Sequence, residues 1–146
     1  MSRRPNRREA LAGAAAVAAS GLIPAAARAE NDWAAQLAAF TGGQTPVPGA
    51  VRLDLPELAE NGNTVPLSVA VDPPPGRSVT EILVVAPENP NARVIRFRFS
   101  PSSVPEGSTR IRLAATQEVV AVARLDDGTF LSASRPIKVT IGGCGG

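Results

Sequence analysis

Val65-Pro66-Leu67-Ser68-Val69-Ala70-Val71, followed at once by Asp72-Pro73-Pro74-Pro75-Gly76, decides the fold of this 146-residue chain. Val65, Leu67, Val69 and Val71 recur at every second position, which places them on one face of an extended strand. Proline has no N–H to donate to a sheet ladder, so the three prolines that follow end the strand. The same alternation of strand and breaker continues downstream. Ile82 to Ala86 is a short apolar run closed by Pro87 and the turn Asn89-Pro90-Asn91. Ile95, Phe97 and Phe99 alternate with Val94, Arg96 and Arg98, and Ile111 and Leu113 alternate with Arg110 and Arg112. Glu118 to Leu125 runs into Asp126-Asp127-Gly128, a hairpin signal. Phe130 to Ser134 then leads to Ile137, Val139 and Ile141. About seven short strands between turn residues predict an all-β, antiparallel β-sandwich over residues 30–141.

One helix is expected, near residues 32–40. Asn31 or Asp32 can cap it, Trp33, Leu37 and Phe40 share a face, and Gly42-Gly43 stops it. That face suits packing on the domain's own core or docking on a partner equally well.

Residues 1–29 read as an export leader. A basic start (Arg3, Arg4, Arg7, Arg8) precedes an alanine-rich stretch from Ala10 to Ala26, and Ala27-Arg28-Ala29 is a small-residue cleavage site that predicts a mature start at Glu30. Arg7-Arg8 with Leu11 resembles the twin-arginine signal, with Arg3-Arg4 a less well placed pair. The competing readings are a general secretory signal and an uncleaved anchor, but a stable span needs about 20 strongly apolar residues.

The leader dominates the charge. Its five arginines against Glu9 give +4, so of the whole chain's +2 the remainder contributes −2. Nucleic-acid binding, which needs a basic folded surface, is therefore not expected. Histidine is absent, which excludes Ser-His-Asp and Cys-His machinery and imidazole metal sites. A single cysteine makes neither a thiolate metal cage nor an internal disulfide. Asp126-Asp127 sits at a hairpin and reads as turn chemistry rather than as a catalytic pair. Arg96, Arg98, Arg110 and Arg112 could line one sheet face, either as a solvated surface or as one that attracts anions or a partner. No catalytic residue, metal site or cofactor is expected.

What remains is Cys144, in Gly142-Gly143-Cys144-Gly145-Gly146. Glycines on both sides cannot pack a core around the sulfur, and their freedom predicts a flexible carrier arm over residues 142–146. Fully extended, the three residues after Ile141 carry the thiol roughly 10 Å beyond the last strand. Lipidation fails on position, since prenylation requires three residues after the cysteine. No basic residue in the tail would stabilise a thiolate, so the sulfur needs activation inside a partner's active site. Such a thiol suits a covalent carrier. Two alternatives stand beside it: a carrier using a Gly145-Gly146 thiocarboxylate, and a structural exported domain with an intermolecular disulfide through Cys144.

The leader, the β-rich body and the terminal Val139-Thr140-Ile141-Gly142-Gly143-Cys144-Gly145-Gly146 together resemble the SoxY family of sulfur carriers in periplasmic thiosulfate oxidation. The body carries the likeness too, in Leu58-Ala59-Glu60-Asn61-Gly62, Val65-Pro66, Asn89-Pro90 and Arg110-Ile111-Arg112-Leu113-Ala114. The resemblance implies an immunoglobulin-like sandwich and a non-enzymatic role, with sulfur intermediates attached covalently to Cys144. It implies a heterodimer with a SoxZ-like subunit. It also implies a haem-containing enzyme that conjugates thiosulfate, a hydrolase that releases sulfate and a sulfane dehydrogenase as further partners. The place of action would be the periplasm, reached by the twin-arginine route, with no membrane association of the mature form.

Overall fold

The structure, a computed structural model, describes residues 32–143. The expectations for Arg7 and Arg8, and for Cys144, Gly145 and Gly146, concern residues outside that range.

Helix α1 (Trp33–Thr41) begins where the capping residue predicts. The Asp32 carboxylate accepts from the Ala35 N–H at 3.0 Å, satisfying one of the first-turn donors that have no partner within the helix. Gly42 ends the helix in the left-handed region, at φ +64°.

Among the described residues nine strands follow: β1 (Val47–Pro48), β2 (Val51–Asp54), β3 (Leu58–Asn61), β4 (Val65–Val71), β5 (Val79–Val85), β6 (Arg93–Arg98), β7 (Glu106–Ile111), β8 (Gln117–Leu125) and β9 (Phe130–Ile141). One sheet runs β1-β9-β8-β5-β6, with β3 added to β9, and the other runs β2-β4-β7. The two-sheet sandwich agrees with the expectation, with two more strands than the sequence suggested. The strictly antiparallel expectation needs correction: β1 and β3 both pair parallel with β9, Val47 opposite Leu131 and Leu58 opposite Lys138. Neither is legible as a strand, because β1 has two residues and Leu58-Ala59-Glu60-Asn61 lacks an apolar alternation. The twelve-residue β9 supplies the pairing energy for both.

The core lies between the sheets. Val65, Leu67, Val69 and Val71 face Ile82, Val84, Val119, Ala121 and Ala123 across it. Leu83 and Val122 point to the opposite side of the large sheet, where they pack with Phe130 and Phe40 of α1. This explains why Ile82 to Val85 of β5 is an unbroken apolar run: both faces of that stretch are covered. The rings of Phe40 and Phe130 meet edge to face at 5.7 Å, and the Arg124 guanidinium lies 4.9 Å from the Phe40 ring centre. The shared helix face therefore packs on its own domain through Phe40, while Trp33 stays 38% exposed. A nine-residue helix is not stable alone, so Phe40→Ala is expected to cost about 3 kcal/mol and release α1. Urea unfolding and the far-ultraviolet helix signal check this.

The Asp126-Asp127-Gly128 turn forms as expected. The Asp127 carboxylate accepts from the Thr129 hydroxyl at 2.6 Å and from its N–H at 3.0 Å, and it pairs with the Arg77 guanidinium at 3.3 Å. These donors, the hydroxyl foremost, hold the Asp127 pKa below the usual carboxylate range. The two carboxylates are thus turn residues.

The arginines of the two alternating segments do not share a sheet. Arg96 and Arg98 lie on β6 of the large sheet, whereas Arg110 and Arg112 lie on and just beyond β7 of the small one. Arg98 pairs with Glu81 at 3.4 Å, and Arg96 covers the Phe40 ring at 5.3 Å. The expectation of one arginine-lined sheet face is therefore corrected, because strand order separates the two pairs.

Candidate functional site: the seat of the C-terminal tail

The last described residues, Gly142 and Gly143, are built into the body rather than hanging from it. Three backbone hydrogen bonds knit three segments together. The Gly62 N–H donates to the Ile141 carbonyl at 2.7 Å, the Leu113 N–H to the Gly62 carbonyl at 2.8 Å, and the Gly143 N–H to the Leu113 carbonyl at 2.8 Å. The sequence reading counted the reach of the thiol from Ile141. The last described tie lies two residues later, so the tether to Cys144 starts at Gly143.

This close weave accounts for the glycines by sterics. A Cβ on Gly142 would lie closer than 3.0 Å to the Ala114 carbonyl oxygen. One on Gly143 would lie 2.7 Å from the Gly62 oxygen, and one on Gly62 would lie 2.7 Å from the Gly143 nitrogen. In each case the obstacle is backbone, which cannot swing aside as a side chain can. Thr116 finishes the lattice by accepting from the Val139 N–H at 2.9 Å and donating to its carbonyl at 3.3 Å.

Behind the 112–117 segment stands a buried amide pair. Asn89 has no exposed surface, and its side chain donates to the Arg112 carbonyl and accepts from the Ala114 N–H, both at 2.8 Å. Gln117 donates to Asn89 at 3.2 Å and to the Ala115 carbonyl at 3.0 Å, and accepts from the Glu88 N–H at 3.0 Å. Buried amides are tolerated only when so satisfied. Asn89→Ala should strand several of these groups and cost about 2–4 kcal/mol, read as a lower urea midpoint at unchanged slope.

Sequence reasoning found Gly142 and Gly143 but missed Gly62, Asn89 and Gln117 as their support. The signal was present in another form. Leu58–Gly62, Asn89-Pro90 and Arg110–Ala114, quoted above for a family likeness, converge at Gly142-Gly143. Exposed apolar side chains flank the site, with Leu58 at 51% and Ile141 at 65%. No group of three or more Cys, Asp or Glu that could hold a metal exists among the described residues, and no described helix is long and apolar enough to cross a membrane.

The pattern for sulfur oxidation protein SoxY matches residues 37–144, from α1 through the cysteine. This chain belongs to the SoxY family. Among solved structures it is similar to the sulfur carrier protein SoxY from Chlorobium limicola f thiosulfatophilum, at 35% identity and TM-score 0.63, over 74% of this chain and 96% of that one. The match to SoxY also supports the immunoglobulin-like sandwich expected from the likeness. The superoxide reductase (neelaredoxin) from Ignicoccus hospitalis shares the fold alone, at 19% identity and TM-score 0.54, over 62% of this chain and 80% of that one. The superoxide reductase from Nanoarchaeum equitans does so at 8% identity and TM-score 0.51, over 64% and 100%. A search of curated proteins finds no match.

Proposed function

We propose that the protein carries sulfur intermediates of thiosulfate oxidation on the Cys144 thiol and presents them to partner enzymes without catalysing a step itself. The observation that carries this is the family match running through residue 144 in a chain with one cysteine. The seat of Gly142 and Gly143 supports it, because a fixed base gives a short tether a defined point of departure.

The Cys144 thiolate joins the outer sulfur of thiosulfate to give Cys–S–S–SO3⁻, and a haem-containing partner takes the two electrons released. Water then attacks the sulfonate sulfur on a hydrolase, sulfate leaves, and a persulfide stays on Cys144. A sulfane dehydrogenase takes six electrons from that remaining sulfur, with water supplying three oxygens, and a second hydrolysis releases sulfate and restores the thiol. The carrier contributes the thiol, and each partner supplies activation. The body would pair with a SoxZ-like subunit. The leader with Arg7 and Arg8 would send the folded protein to the periplasm by the twin-arginine route.

Intact-mass measurement of the protein from cells growing on thiosulfate tests the proposal. Adducts that add sulfur and disappear on reduction are expected. A protein that never gains sulfur under those conditions would refute it.

A further inference from the structure

Of the nine arginines in residues 30–146, most are engaged. Arg52 pairs with Asp72, Arg77 with Asp126 and Asp127, and Arg98 and Arg124 with Glu81. Arg96 covers Phe40, and Arg135 donates to the Leu53 carbonyl. Arg93, Arg110 and Arg112 stand apart. Among the described residues none of them makes an ion pair, and Arg110 reaches only the Thr64 hydroxyl, at 3.4 Å. All three line one cavity of about 240 Å³, together with Asn89, Asn91 and the apolar Val94, Ile95 and Ile111. No carboxylate lines it.

The cavity shares a wall with the tail's seat. The 112–114 segment binds the Gly143 N–H through the Leu113 carbonyl and is held by Asn89 through Arg112 and Ala114. One strand spacing, about 5 Å, therefore separates Gly143 from the near side of the cavity. The sulfur of the next residue reaches roughly 7 Å from the Gly143 Cα, and two further sulfur bonds extend a terminal sulfonate to roughly 10 Å.

We propose that Arg93, Arg110 and Arg112 form a seat for a sulfur oxyanion, occupied by the terminal sulfonate of the adduct on Cys144. Cys144 carrying sulfur, as proposed above, is a premise. The seat is weak by construction. Its arginines are exposed, so water and salt screen each charge pair strongly. A free anion would bind with a dissociation constant on the order of millimolar or weaker, but a tether raises the effective concentration into the millimolar range. The loaded tail would thus rest on the body and still be released to a partner's cleft.

The protein is loaded chemically, without partner enzymes. The Cys144 thiolate attacks an inner sulfur of tetrathionate, forming Cys–S–S–SO3⁻ and expelling thiosulfate. Intact mass confirms the adduct, and side-chain Nε–Hε resonances of the ¹⁵N-labelled protein report on each arginine. Loading should shift Arg93, Arg110 and Arg112, leave Arg52 in place, and have no effect in Cys144→Ser treated alike. In Arg110→Gln/Arg112→Gln, a neutral thiol should strip the adduct several-fold faster, and added salt should bring the wild type to the same rate. Loaded protein with unmoved arginine resonances would overturn the seat while leaving the carrier proposal intact. Free thiosulfate or sulfate shifting the same three resonances at micromolar concentration would overturn the tethered occupant in favour of a site for the free anion. Failure of the carrier proposal itself reads differently, as the absence of any adduct in thiosulfate-grown cells.

Discussion

Replacing Cys144 with serine will leave the domain folded and reduce thiosulfate oxidation to background. A hydroxyl cannot form the sulfur–sulfur bond that holds each intermediate, so no partner can act in sequence on the same group. The loss should match deletion of the protein, because no other thiol exists in the chain to substitute. Stability should change by no more than about 0.5 kcal/mol, since the substitution exchanges sulfur for oxygen between flanking glycines that have no side chains to pack on it. Sulfate production from thiosulfate by the reconstituted partner enzymes, with urea unfolding run alongside, decides the matter. A serine variant that still supports turnover would eliminate a cysteine carrier, and the Gly145-Gly146 carboxyl would become the attachment point to test.

Gly142→Ala will have the second large effect, and it separates two ideas of what the glycines are for. If Gly142 only loosened a linker, one methyl group would cost next to nothing. In the folded structure that methyl lies closer than 3.0 Å to the Ala114 carbonyl oxygen, so either the end of β9 or the 112–114 segment must move. The hydrogen bonds from Gly62 to Ile141 and from Gly143 to Leu113 are the ones that stretch. Losing them should cost about 1–3 kcal/mol and lower the melting temperature by roughly 5–15 °C. Turnover with partners should fall at least tenfold even at temperatures where the core is intact, because the tail leaves the body from a displaced point. Calorimetry together with amide exchange at Leu113 and Gly143 measures both parts. Unchanged exchange protection in a fully stable Gly142→Ala would show that the seat contributes nothing.

Much of the architecture was legible because its signals are local. The period-two spacing of Val65 to Val71 predicted a strand half-buried on one face, and β4 has that burial pattern. Asp32 and Gly42 predicted the helix ends through capping chemistry that spans a few residues. Asp126-Asp127-Gly128 predicted its hairpin for the same reason. The parallel partners of β9 were not legible, since Val47-Pro48 and Leu58–Asn61 become strands only when β9 offers them a ladder. The arginine alternation misled because period two describes a strand, and two strands of similar pattern can end in different sheets.

Sequence alone determined the chemistry available to this protein: one thiol, no imidazole, and a thiol position after two glycines near the C-terminus. Those are properties of composition and order, and folding cannot alter them. Only the tertiary structure decided where the tail departs and what surrounds that point. Gly62, Asn89, Leu113 and Gly143 come from four separated segments. Their meeting depends on strand order and backbone hydrogen bonds, which no short-range pattern encodes. The same packing groups Arg93 with Arg110 and Arg112 in one cavity while it divides Arg96 and Arg98 from them.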